Sequence, residues 1–307
     1  MHRRLFIALL LICQPFAWAS DPLIVPEAAS GFSDIKSASF ANAMVVTANP
    51  YASDAATNIL KQGGSAVDAA ITAQLVLGLV EPQSSGIGGG AFMLHWSKAR
   101  GELQAWDGRE TAPAAATEAY FLTDDGKPMA FFDAVIGGQS VGVPGVVAML
   151  GAAHREHGKL PWAMLFEPAI RLAEQGFILS ERLHLLLERM PKVAVNPQIS
   201  EYFFVKTADG WQAKAEGSLL KNPAYAATLR RLAEQGAEDF YRGELAREIV
   251  RAVRQDPNRP GTMTLEDMAA YQPLKRAAVC APFRAVEVCG APPPSSGGTT
   301  VLAILGM

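Results

Sequence analysis

Histidine and cysteine are scarce in this chain: five and three residues among 307. That leaves little material for a histidine-built metal centre or a multi-disulfide scaffold. Charge of one sign is lacking as well. Twenty-seven basic residues face 30 acidic ones, for a net charge of −3. No basic face of the kind nucleic acid requires is visible. Charged residues reach only 19% while half of the chain is hydrophobic, which excludes disorder. Long apolar runs are missing too. Leu5–Cys13 is too short for a bilayer that needs about twenty residues, and Ala69–Val80 is interrupted by Thr72 and Gln74. Neither is a membrane span. No repeat at solenoid spacing is present. What remains is a chain of one large domain or two ordinary ones, able to bury a sizeable core.

The first residues have the layout of a secretory signal peptide. Arg3 and Arg4 precede the apolar run, Pro15 breaks it, and Ala17-Trp18-Ala19 supplies an A-x-A cleavage pattern. Cleavage after Ala19 is expected. A lipoprotein is disfavoured because bulky Ile12 precedes Cys13. Removing residues 1–19 takes away two arginines and no acid, and leaves Cys280 and Cys289 as the only cysteines. In an exported protein these two form either a disulfide or a pair of buried thiols.

Patterning gives the order of elements. Met44–Ala48 reads as a buried strand. Ser53 offers a helix N-cap, and Gly63-Gly64 stops that helix. Ser65 and Asp68 have capping-box spacing at the head of a second helix, which is apolar nearly all round to Val80 and therefore central. A glycine-rich loop, Gly86–Gly90, follows. Phe92–Trp96 and Glu102–Trp106 read as a hairpin around Lys98–Gly101. Helical spacing then dominates at about 145–157, 162–175, 180–190, 223–235 and 243–255, and strand character returns at Ala285–Val288. Without regular βαβ alternation, the fold class is α+β.

Several patterns bear on chemistry. Gly86–Ala91 matches G-x-G-x-x-A, but a helix precedes it and a strand follows, the reverse of the dinucleotide geometry. It reads instead either as a loop of closely approaching backbones or as a loop that lines a substrate pocket without supplying side chains. His154 and His157 lie three apart on a helix, yet nothing completes a metal site, Glu156 points elsewhere, and a solvated face is the favoured reading. Neither H-E-x-x-H nor G-x-S-x-G occurs. Ser295-Ser296 reads as a turn capping a helix that begins near Thr299. Asp107-Gly108-Arg109-Glu110 ends a strand beside the glycine loop. An arginine there either clamps a substrate carboxylate through two parallel hydrogen bonds or forms a structural ion pair with Asp107, Glu110 or a distant acid.

Taken together, Ala52–Ala70, Gly86–Met93, Asp107–Pro113, Val143–Gly145, His157–Trp162, Phe240–Gly243 and Pro292–Gly298 resemble, in order, the large-subunit portion of γ-glutamyltranspeptidases (glutathione hydrolases). The resemblance covers nearly all of the mature chain. It implies an N-terminal-nucleophile hydrolase, an αββα sandwich made as one precursor that cuts itself into a large and a small subunit. It also implies a threonine at the new N-terminus that attacks a γ-glutamyl amide with its own α-amine as base, so that neither histidine nor a cofactor is needed. The substrates it implies are glutathione and other γ-glutamyl compounds, with water, an amino acid or a peptide as acceptor. Arg109 falls where the family's arginine pairs with the substrate α-carboxylate. Ser65 stands where asparagine is common and Ala91 where glycine is common. Gly108 replaces a frequent aromatic, a change expected to loosen the wall beside Arg109. No Thr-x-His segment occurs, and Thr299 and Thr300 sit in a helical pattern. The nucleophile is therefore expected beyond Met307, with residues 20–307 forming a truncated large-subunit region that is inactive alone. Alternatives are a cephalosporin-type acylase, a polyglutamate-cleaving relative, or a non-catalytic binding fragment. The expected location is the periplasm or exterior.

Overall fold

The computed structural model describes Ser37 and residues 39–307; the signal-peptide reading lies outside them. A helical pair opens the fold, α1 (Pro50–Lys61) and α2 (Ala66–Val80). A hairpin follows, β1 (Ala91–Ser97) and β2 (Glu102–Gly108), then the short α3 (Phe131–Val135) and α4 (Val146–His157). Next come α5 (Glu167–Gln175), β3 (Phe177–Ile178), α6 (Glu181–Arg189), α7 (Pro197–Phe203), β4 (Phe204–Thr207), β5 (Gly210–Ala213) and β6 (Leu219–Leu220). The last stretch holds α8 (Pro223–Gln235), α9 (Glu238–Arg242), α10 (Glu244–Arg254), α11 (Leu265–Ala270), β7 (Leu274–Arg276), β8 (Val279–Phe283), β9 (Val286–Gly290) and α12 (Gly297–Gly306).

The α2 helix is the centre of the core. Val67, Ile71, Leu75, Val76, Leu79 and Val80 are each 3% exposed or less, as an all-round apolar helix must be. Fully burying such a side chain is worth about 1.5–3 kcal/mol. Its N-terminus is fixed by the expected capping box: Ser65 Oγ accepts from the Asp68 N–H (3.1 Å) and Asp68 Oδ2 accepts from the Ser65 N–H (2.8 Å). The same carboxylate oxygen also accepts from the N–H groups of Lys159 (2.9 Å) and Leu160 (3.2 Å). A local cap is thereby turned into a long-range tie between α2 and the chain leaving α4.

One three-stranded antiparallel sheet, β1-β2-β7, carries the site. The β1–β2 register pairs Ala91 with Gly108 through to Ser97 with Glu102, the expected hairpin. Side chains alternate between the two faces. One face presents His95, Gln104, Trp106 and Lys275 to α4. The other presents Leu94, Trp96 and Leu274, which are 41%, 59% and 49% exposed.

Four expectations are corrected. Met44–Ala48 pairs with no strand among the described residues, and Met44 and Val46 are 61% and 78% exposed. A short apolar run becomes a strand only when a neighbour takes its N–H and C=O groups. The first helix is capped by Asn49, whose Oδ1 accepts from the Tyr51 N–H, and not by Ser53. The stretch 162–175 is a 3₁₀ turn at Trp162–Leu165 followed by α5. Pro168 in the first turn of α5 explains the break, since proline starts a helix but cannot sit inside one. The last helix begins at Gly297, two residues before Thr299.

Asp68→Ala is expected to cost about 2–4 kcal/mol, because three N–H groups lose their acceptor at once. Urea unfolding checks this, and a loss below about 1 kcal/mol would show that the carboxylate is not the tie described.

Candidate functional site

The β2 strand ends at Gly108, and Arg109 follows at the open end of the sheet. Its backbone is held on both sides. The Arg109 N–H donates to Asp107 Oδ1 (2.9 Å), and the Tyr271 hydroxyl donates to the Arg109 carbonyl (2.7 Å). Asp107 is 6% exposed and takes a second bond from Arg276 Nε (2.6 Å) on the neighbouring strand. Of the acids left open by the sequence as partners of Arg109, Asp107 thus pairs with Arg276. Arg109 pairs with Glu110, Nε to Oε2 at 3.1 Å. The Arg109 side chain is 61% exposed, and its two terminal nitrogens have no partner among the described residues. An exposed pair of this kind contributes about 0–1 kcal/mol, so it does not hold the guanidinium back from a ligand.

Glu110 connects Arg109 to the glycine-rich loop. Its carboxylate lies so close that a β-carbon on Gly90 would come within 2.7 Å of Oε2. The loop itself is seated on the head of α4, where the Gly89 carbonyl accepts from the N–H groups of Gly145 (2.9 Å) and Val146 (3.1 Å). Those are unpaired donors of a helix N-terminus. A β-carbon on Gly145 would lie 2.1 Å from the Tyr271 hydroxyl oxygen and 2.2 Å from the Gly108 carbonyl, so glycine is the residue that fits. Thr111 and Val143 exchange backbone hydrogen bonds beside it (3.3 and 2.8 Å). A pocket of about 370 Å³ opens between Thr111, Val143, Asp267 and Tyr271.

Gly108 has a different role from the one expected. A β-carbon there would meet Met149 Cβ at 2.7 Å. Position 108 faces α4, and Met149 fills the space, so the glycine does not loosen the wall beside Arg109.

The histidine reading is corrected as well. His157 points into the α4–sheet contact, its side chain 8% exposed. Its ring lies 4.0 Å from that of His95, and its Nε2 is 2.7 Å from Gln104 Oε1. That acceptor places the proton on Nε2. Glu156 does not point elsewhere. It takes hydrogen bonds from Lys275 Nζ and from Gln104 Nε2 (2.9 Å), and lies 3.4 Å from His157 Nε2. Burial, then the neighbouring His95, pushes His157 below the ordinary value of 6.5. The Lys275 bond, with that from Gln104, holds the Glu156 carboxyl at about 2. Inward-facing polar groups on a helix stripe gave no local signal. Cys280 and Cys289 face each other across β8–β9 and form a disulfide, their Cα atoms 4.1 Å apart.

The family model described as gamma-glutamyltranspeptidase matches residues 52–307. The chain belongs to the γ-glutamyltranspeptidase family. It is 34% identical over 305 residues to the glutathione hydrolase proenzyme of Escherichia coli (strain K12), a match over 99% of this chain and 51% of that protein. To glutathione hydrolase 2 of Arabidopsis thaliana it is 37% identical over 262 residues, covering 85% of this chain and 43% of that one. The chain spans about half the length of the curated relatives it matches. Among solved structures, the Helicobacter pylori γ-glutamyltranspeptidase superposes with a TM-score of 0.81 at 32% identity, over 88% of this chain and 75% of that one. Cephalosporin acylase from Bacillus halodurans superposes with a TM-score of 0.67 at 29% identity, over 86% and 50%. The α+β, helix-rich fold is therefore that of an N-terminal-nucleophile hydrolase of the γ-glutamyltranspeptidase kind.

Both acid-side shifts act in one direction. A carboxyl held low and an imidazole kept neutral favour the fold above their ordinary values and lose that preference as pH falls. The loss is expected to begin near 6.5 for His157 and to run from 4.5 toward about 2 for Glu156. Thermal unfolding midpoints between pH 8 and 5 should fall on acidification, and His157→Gln should flatten that slope. An equal slope in the variant would remove His157 as a cause.

Proposed function

We propose that this chain supplies the substrate cradle and carboxylate anchor of an exported γ-glutamyl acyltransferase and hydrolase. Its substrates are glutathione and related γ-glutamyl amides. Residues 1–19 direct export and are removed, and residues 20–307 form the large-subunit region. The observation that carries the reading is the exposed Arg109 guanidinium. Its backbone is held from both sides, its terminal nitrogens are open, and the glycine-rich loop lies next to it. A planar fork of donors at a rigid strand end suits the bidentate capture of an α-carboxylate. The γ-amide of the bound substrate then lies away from the clamp, toward the attacking group.

That attacking group is a threonine outside these 307 residues. Its hydroxyl oxygen adds to the γ-carbonyl carbon while its own α-amine takes the proton. The amine of the substrate leaves with that proton, and water, an amino acid or a peptide resolves the ester. The exposed Leu94, Trp96 and Leu274 on one sheet face, and the run Met44–Ala48, which pairs with no strand among the described residues, support a second subunit that completes the sandwich. The curated bacterial relative is called a proenzyme, which agrees with one precursor giving both parts.

The likeness to cephalosporin acylase favours a second reading, an acylase of the same fold. Turnover of glutathione set against a cephalosporin-type amide by the complete protein separates the two. Preference for the amide lacking a γ-glutamyl group would reject the first.

Arg109→Lys is expected to raise KM for γ-glutamyl substrates at least about tenfold, since lysine cannot form the paired bonds. An unchanged KM and kcat would remove Arg109 from the site. The 307-residue chain by itself is expected to hydrolyse no γ-glutamyl amide. Turnover above background would place the nucleophile within it.

A further inference from the structure

Arg109 is fixed by an aromatic strut that reaches it from far along the chain. Tyr271 follows α11, and its hydroxyl meets the Arg109 carbonyl at 2.7 Å. Its ring stacks on Tyr241, with centroids 5.7 Å apart and planes 16° from parallel. Tyr241 is 5% exposed and is itself pinned. Its hydroxyl donates to the Pro144 carbonyl (2.9 Å) and accepts from the Ala148 N–H (3.0 Å). The strut therefore stands on the head of α4, the same point that seats the glycine-rich loop. Gly145 leaves it room, because a β-carbon there would collide with the Tyr271 hydroxyl.

The consequence is geometric. The Asp107 bond holds the peptide entering Arg109, and the Tyr271 bond holds the peptide leaving it. With both held, only side-chain torsions move the guanidinium. Without the hydroxyl, the peptide between Arg109 and Glu110 loses the bond that fixes its plane, leaving it anchored only by the Asp107 bond before it and the Thr111–Val143 pair after it. The phenol is suited to remain a donor: burial, with Asp107 and Glu110 nearby, pushes its ionisation up to about 12.

We propose that Tyr271 is a positioning residue for Arg109, fixing the direction in which the carboxylate clamp leaves β2. The proposal rests on Arg109 being that clamp.

The test uses the complete, active enzyme and a γ-glutamyl amide. Tyr271→Phe keeps the ring and its stack and removes one hydrogen bond. KM should rise about three- to tenfold, the range a single hydrogen bond spans. The kcat value and the thermal unfolding midpoint should stay close to wild type. In an Arg109→Lys background the same change should add little, because a residue that acts through Arg109 has nothing left to position. A wild-type KM in Tyr271→Phe, beside a raised KM in Arg109→Lys, overturns the proposal and leaves the clamp standing. So does a fully additive double variant. A lowered unfolding midpoint with KM unchanged assigns Tyr271 to stability alone and also overturns it. An unchanged KM in Arg109→Lys removes the clamp itself, and the proposal with it.

Discussion

The site depends on the two free N–H groups at the head of α4. Gly145 and Val146 hold the Gly89 carbonyl, and with it the glycine-rich loop. Pro144, one residue earlier, receives the Tyr241 hydroxyl, and the Gly108 carbonyl packs against Gly145. A helix N-terminus always has donors to place. In most proteins a side-chain cap takes them, but Gly145 has none to offer. The loop carbonyl substitutes for the missing cap. Loop, strand end and helix are thereby locked to one point, and the orientation of Arg109 follows from that lock.

A second, independent lock holds α4 flat on the sheet. It is polar where a core is usually apolar: His95, Gln104, Glu156, His157 and Lys275 form one connected group. Such groups specify register well when every member is satisfied. This one falls short at two atoms, since His95 Nδ1 and the Nε1 of the adjoining Trp106 are buried without a partner. Trp106 closes the group from the sheet side, with Lys275 Nζ 4.5 Å above its ring.

How much of this was readable in the residues follows from the range of each interaction. The Ser65–Asp68 cap and the hairpin around Lys98–Gly101 rest on neighbours a few positions apart, and both were legible. So were α8 and α10, whose apolar spacing repeats over several turns. Arg109 was legible as a candidate because arginine, glycine and acid stand together at a strand end. Met44–Ala48 misled, because strand patterning says nothing about whether a partner strand is present. His157 misled because a helical stripe containing histidine looks solvated until its neighbours across the sheet are known. Tyr271 and Arg276 gave no signal, and Tyr241 stood out only as part of the Phe240–Gly243 segment. Their importance lies in contacts that a local pattern does not encode.

The same separations set the order in which the protein is assembled. Tyr271 meets Arg109 across 162 residues, and Arg276 meets Asp107 across 169. Closing so long a loop is entropically slow compared with local helix formation. On a ribosome or a translocation channel, the early helical hairpin and β1–β2 emerge long before their last partners. The surroundings of Arg109 are therefore assembled late in biogenesis, and an incompletely emerged chain has the arginine without the Tyr271 and Arg276 bonds beside it.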